Sequence, residues 1–197
     1  MGQMTWETWQ DEPEQTTTAT VSLSWYEVMQ AGIGGMCRYV AAVQRDRPQR
    51  YGQVATNRWG TDIEGCLGEL VLAKFLDRYW DGALRKEARP GDVGDMEARH
   101  SVHPQAHLCI HEPDADDHIF VLITGSLAGR APYAFQVVGW IPGAQGKREE
   151  WFRDIKKGYD RPAFWVPQAM LHSPQALKDH TPAELRGWQA PRERAIT

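Results

Sequence analysis

The order of two contrasting hydrophobic patterns constrains the fold more than any other feature of this 197-residue chain. Two segments with apolar residues at helical spacing come first, from about Ser24 and from about Thr61 to Tyr79. Four short β-type runs follow them, at 96–102, 106–111, 118–123 and 133–141. This order predicts an α+β fold with a mixed, mostly antiparallel central sheet, built as a meander with helices laid on it.

Each helical segment opens with a capping-box pattern. Ser24 is followed three residues later by Glu27, and Thr61 by Glu64, so that hydroxyl and carboxylate can each satisfy a free backbone N–H. The apolar stripe of the first helix is Trp25, Val28, Met29, Met36, Tyr39, Val40 and Val43. The glycines at 32, 34 and 35 weaken its middle and suggest close backbone packing or a kink. In the second helix, Glu69 lies off the apolar stripe, near the small residues Gly65 and Gly68.

Length and composition indicate one globular domain. The residues are 42% hydrophobic and 10% aromatic, which is enough for a core. We expect a loosely ordered arm at 1–21, with Trp6 and Trp9 available to pin it to the body or a partner, and a single domain at 22–197. A helix over 147–157 and a strand at 163–166 are expected near the end.

Several classes of protein are disfavoured. Three widely spaced cysteines imply no disulfide framework, and no apolar run is long enough to span a membrane, so a cytoplasmic protein is expected. A net charge of -4 provides no global attraction for nucleic acid, so DNA contact would need a local patch or a bound metal. The oligomeric state is left open.

The stretch from Gly91 to Arg99 is the best candidate for a chemically active site. If Gly94-Asp95 forms a two-residue turn, Val93 pairs with Met96, and Asp92 falls opposite Glu97. Two carboxylates that close repel each other unless a cation or a shared proton intervenes. Their hard oxygens suit Mg²⁺ or Mn²⁺, and Glu69 is our candidate for a third acid brought in by the helix.

These residues resemble the motifs of the PD-(D/E)XK nuclease superfamily, in particular small phage or prophage proteins of that fold. Members place an acid on an early helix, an Asp at a strand start and a (D/E)-x-K triplet on the neighbouring strand. The matching segments here are Gly68-Glu69-Leu70, Asp92 and Glu97-Ala98-Arg99, within about residues 23–141. The resemblance implies a restriction-endonuclease-like core and metal-dependent hydrolysis of DNA.

In that interpretation, the catalytic residues are Glu69, Asp92, Glu97 and Arg99. Asp92, Glu97 and the backbone carbonyl of Ala98 hold the ion, Glu69 orients a second ion or a water, and Asp95 is the alternative to Asp92. Two departures from the family pattern stand out. Arg99 replaces the usual Lys and cannot act as a general base, and the spacing from Asp92 to Glu97 is short. The first departure favours the alternative of an inactive nuclease-fold protein of phage or mobile-element origin that binds nucleic acid or a host protein, and the second is why Asp95 is kept as the alternative ligand.

Other candidate sites are weaker. His107, Cys109 and His111 share one strand face and could offer ligands to zinc, although filling of the outer face is favoured. The acidic run Asp114 to Asp117 is expected to be a charged loop rather than a Ca²⁺ site. A weak nucleic-acid-binding patch is formed by basic residues among the C-terminal tryptophans: Lys147, Arg148, Arg153, Lys156 and Lys157. A third function class is a structural protein that assembles through its N-terminal arm.

Overall fold

The computed structural model describes residues 17–45, 58–82, 91–153 and 162–187. Its main elements follow in chain order: β1 (Ala19–Leu23), α1 (Trp25–Gln44), α2 (Arg58–Phe75), β2 (Met96–Ser101), β3 (Leu108–His111), β4 (Ile119–Gly125), β5 (Tyr133–Pro142), α3 (Gly143–Gly146), β6 (Phe152–Arg153), β7 (Ala163–Val166), α4 (Ala176–Asp179) and α5 (Pro182–Arg186). Single 3₁₀ turns lie at Glu149–Trp151 and Gln168–Met170. The α+β class is therefore confirmed.

The strands form two sheets. The larger has the order β1-β5-β4-β2 and is mixed, because β2 runs parallel to β4 while the other pairs are antiparallel. The smaller, β3-β7-β6, is antiparallel throughout. The predicted simple meander is thus wrong. Between β2 and β4 the chain crosses to the second sheet as β3, and this long connection lets β4 return parallel to β2.

Strand β4 lies between two hydrophobic cores. Ile119, Val121 and Ile123 pack into the core that contains α2. Phe120 and Leu122, which alternate with them, pack into the core that includes β3 and Trp151. Successive side chains of a strand point to opposite faces, so a continuous apolar run is what a strand buried on both faces requires.

Helix α2 is also covered on two sides. It contacts α1 on one side and β2, β1, β4 and β5 on the other. All residues from Cys66 to Ala73 are consequently buried. The helix begins at Arg58, so Thr61 lies inside it and the predicted capping box at Thr61 is wrong.

Helix α1 begins as predicted, with both hydrogen bonds of the Ser24/Glu27 capping box present. Its orientation is unexpected. The small residues Ala31, Gly34 and Gly35 are buried, while most of the predicted apolar stripe is exposed. A Cβ atom on Gly35 would lie 2.6 Å from the Cα of Ile63, so glycine is what allows α1 and α2 to approach so closely.

Two further expectations need correction. The predicted N-terminal arm extends too far, because Ala19–Leu23 forms β1 and pairs with β5; residues 1–16 lie outside the described residues. The predicted helix at 147–157 is absent over its described part, which contains a 3₁₀ turn and then β6. The strand predicted at 163–166 is confirmed as β7.

Candidate acidic site

Glu69 occupies the middle of α2 and is only 3% exposed. It is buried because α2 lies between α1 and the large sheet, so a side chain off the main apolar stripe still meets protein. The neighbouring Gly68 helps to bring β2 close, since a Cβ atom there would lie 2.8 Å from the Cβ of His100. Glu69 therefore does not face solvent, and the nearby Lys74 pairs with Glu27.

The carboxylate of Glu69 is held by two donors. Arg38 of α1 donates through its Nη2 to Oε2 of Glu69, and the indole Nε1 of Trp80 donates to the same oxygen at 3.3 Å. Burial alone would lower the pKa of Arg38, but the hydrogen bond and the charge of Glu69 raise it overall, with a further contribution from Asp92. Arg38 therefore stays charged and links the helix acid electrostatically to the turn before β2.

That turn has the predicted pairing. Val93 and Met96 form an antiparallel bridge, and Gly94 between them has a φ of +65°, a conformation that favours glycine. Asp92, just before the turn, is 8% exposed. Its Oδ2 accepts a hydrogen bond of 3.1 Å from the backbone N–H of Ala98, which fixes the carboxylate against the start of β2.

Asp92 and Glu97 interact as two neighbouring acids. Burial raises the pKa of Glu97, and the negative charge of Asp92 raises it further. Arg99 and His118 act in the opposite direction, because their positive charge favours the ionised carboxylate. Glu97 therefore holds its proton more tightly than an exposed glutamate does, first because of burial and then because of the charge of Asp92.

Arg99 is anchored by several acceptors at once. Its Nη1 donates to Glu97 at 3.1 Å, its Nη2 to Asp114 at 2.8 Å, and its Nε to the carbonyl of Cys109 at 3.2 Å. The guanidinium also lies 5.0 Å from the centre of the Phe120 ring. A planar side chain held at this many points keeps one orientation beside Glu97.

Asp92 and Asp95 differ in their surroundings. Asp95 forms an ion pair with Arg186 of α5, whereas the charge of Asp92 raises the pKa of both Arg38 and Glu97. Across the described ranges, no three His, Cys, Asp or Glu side chains form a ready metal-binding group.

The geometry gives little support to a zinc site. Cys109 and His111 lie on one face as predicted, with 3.8 Å between Sγ and Nε2, but His107 is exposed. Burial raises the pKa of the Cys109 thiol to about 11, which disfavours the thiolate that zinc requires.

The predicted basic patch is mostly engaged within the protein. Lys147 binds the acidic loop through the Glu112 carbonyl at 3.0 Å and Oδ1 of Asp116 at 2.6 Å. Arg153 donates to the carbonyls of Glu150 and Phe152, and Arg148 lies over Trp151. Lys156 and Lys157 lie outside the described residues. The described residues of this patch therefore contact neighbouring loops, while Arg148 and Arg153 remain exposed.

Sequence reasoning missed Arg38, Trp80 and His118, the last of which lies with its Nδ1 3.4 Å from Glu97. A signal existed for Arg38. It is the only charged residue in α1 after Glu27, and an isolated charge in an apolar helix indicates a buried partner. Nothing local distinguishes Trp80 or His118.

Comparisons with family models, curated proteins and solved structures give no significant match. Within the described residues, no helix is long and apolar enough to cross a membrane.

Proposed function

We propose that this protein is a divalent-metal-dependent nuclease that hydrolyses phosphodiester bonds in DNA, with a restriction-endonuclease-like core. The observation that carries the proposal is that the Asp92 carboxylate accepts from the N–H of Ala98, next to the partly buried Glu97, whose pKa is raised first by burial and then by the charge of Asp92. Buried like charges of this kind cluster at functional sites, because structure alone rarely rewards them.

The donor set fits a hard cation. Asp92, Glu97 and the carbonyl of Ala98 are the residues that would hold Mg²⁺ or Mn²⁺, and oxygen atoms are the ligands these ions prefer. When bound, such an ion lowers the pKa of a coordinated water and neutralises charge on the scissile phosphate. A cation would also relieve the repulsion between the two acids, which supports its binding here.

The remaining residues have distinct roles in this proposal. Arg99 positions a phosphate oxygen or stabilises its developing charge, since arginine stays protonated and its orientation is fixed by Glu97 and Asp114. Glu69 orients water at the edge of the site. Arg38 holds Glu69 in place through its hydrogen bond.

A nicking assay tests the proposal. Supercoiled plasmid is incubated with the protein and either Mg²⁺, Mn²⁺ or EDTA, and we expect nicking only with metal. Glu97→Gln should abolish nicking, while the matched Glu112→Gln change in an exposed loop residue should leave it intact. Absence of nicking by folded protein under both metals would contradict the proposal.

A second candidate is a nuclease-fold protein that binds nucleic acid or another protein without cleaving. It is favoured by the ion pairs Arg38–Glu69 and Arg99–Glu97, in which the chain's own cations neutralise the acids. Calorimetric titration with Mn²⁺ separates the two candidates. Binding that Glu97→Gln removes supports the nuclease, and no binding by the wild type supports the non-catalytic alternative.

A further inference from the structure

Helix α1 presents a continuous apolar stripe to solvent. Its members are all exposed and are spaced three and four residues apart in strict alternation: Tyr26, Met29, Ile33, Met36, Val40 and Val43. Tyr26 is 66% exposed and Ile33 57%. This alternation is the 3.5-residue repeat of a helix that packs lengthwise against another helix.

The distribution of residue sizes around α1 reverses the usual arrangement of a surface helix. Ala31, Gly34 and Gly35 face α2 and are buried, so the inner contact is made by small residues. The large apolar residues occupy the outer face. A helix in a monomeric domain normally buries its large apolar side chains, so this arrangement indicates a second surface that covers the stripe.

The charges of α1 favour a second copy of the same chain as that surface. Its only charged residues, Glu27 and Arg38, are both engaged with α2, by Lys74 at 2.6 Å and by Glu69. The outer face therefore carries no charge that would repel an identical face. Interfacial membrane helices, in contrast, usually border their apolar side with Lys or Arg, and α1 has none there.

The area and the residue types agree with self-association. The six exposed side chains amount to roughly 600 Å² per copy, on the order of the ~800 Å² per partner found in stable interfaces. Trp25 and Trp59, both exposed, extend the apolar surface. Ile33 and Val40 occupy equivalent positions in the seven-residue pattern of the stripe. β-Branched residues at such positions favour the packing of two helices.

We propose that two copies of this protein form a symmetric dimer by packing their α1 helices together along the Tyr26–Val43 stripe. The contact surface is the same on both copies, as a two-fold interface requires. This proposal is independent of nuclease activity, because the stripe contains none of the residues assigned to the acidic site.

Two matched variants of the full chain test the proposal. Met36, in the stripe, and Met170, outside it, are each 44% exposed, so Met36→Lys and Met170→Lys introduce the same charge at equal exposure. In light scattering coupled to size-exclusion chromatography, we expect a dimer for the wild type and Met170→Lys, and a monomer for Met36→Lys. The melting temperature should rise with protein concentration only for the two dimeric proteins.

Three outcomes would overturn the dimer. The first is a monomeric wild type at micromolar concentration, as expected if another part of the chain covers the stripe. The second is a dimer that both Met36→Lys and Val40→Glu leave intact, since neither half-exposed position is needed for the fold. The third is a monomeric wild type that sediments with phosphatidylcholine and phosphatidylglycerol vesicles through the same stripe, which would assign the face to a membrane surface.

Discussion

Arg38 of α1 donates a hydrogen bond to the carboxylate of Glu69 on α2, and both side chains are largely buried, with 14% and 4% exposure. The pair connects the two helices, and the charge of Asp92 also contributes to the raised pKa of Arg38. Helix packing is therefore linked electrostatically to the candidate site.

Arg38→Met should destabilise the fold by about 3–5 kcal/mol, because it leaves the Glu69 carboxylate buried without its cation. Adding Glu69→Gln should recover part of this loss, since the neutral amide can still accept from Trp80. Chemical denaturation of the two variants measures the difference. Equal stability of the single and double variants would contradict the expected recovery.

Two glycines in α1 should respond to alanine in opposite directions. Gly35→Ala should cost about 1–3 kcal/mol, because its Cβ would meet the backbone of Ile63 at 2.6 Å. Gly32→Ala, with no atom within 4 Å of its Cβ, should stabilise by about 0.5–1 kcal/mol through helix propensity. Thermal unfolding of both variants, compared at one protein concentration, tests the close approach of the helices.

Glu97→Gln should raise the free energy of unfolding at pH 7. The raised pKa of Glu97 means that its ionised form is disfavoured in the folded state, first by burial and then by Asp92. The wild type gains stability as the pH falls through this pKa towards 4.5, because the folded state takes up a proton on Glu97. The difference in free energy of unfolding between the variant and the wild type should therefore shrink in that range. Urea unfolding at several pH values provides the measurement, and a variant less stable than the wild type at pH 7 would contradict it.

Two partly buried histidines should make the fold sensitive to mild acid. Burial lowers the pKa of His100 and of His172 below 6.5, so the unfolded chain takes up protons before the folded one does. Stability should therefore fall as the pH drops from above 6.5 towards the lowered values. His172→Gln should make this dependence shallower, while the same change at the exposed His103 should not. If stability depends on pH with the same slope in the wild type and in both variants, His172 does not cause the acid sensitivity.

Parts of the fold were predictable because short-range interactions specify them. The capping box of Ser24 and Glu27 depends only on four consecutive residues. The turn at Gly94 depends only on the two short segments that it joins and on a residue that accepts a positive φ. The positions of β2 to β5 followed from β-type runs. The apolar face of α1 was predictable as a pattern, but its outward direction was not, because spacing alone does not indicate which face meets the rest of the domain.

The sequence by itself determined the two long helices, the extended runs of β2 to β5 and of β7, and which acids flank the turn before β2, since these depend on neighbours within a few residues. Only the tertiary structure decided that β2 runs parallel to β4, that α2 is covered on both sides and that Arg38 meets Glu69. These relationships join residues far apart in the chain, and they arise from the packing of α1 and the sheet around α2. Burial of Glu69 is thus a property of the assembled layers and not of its own helix.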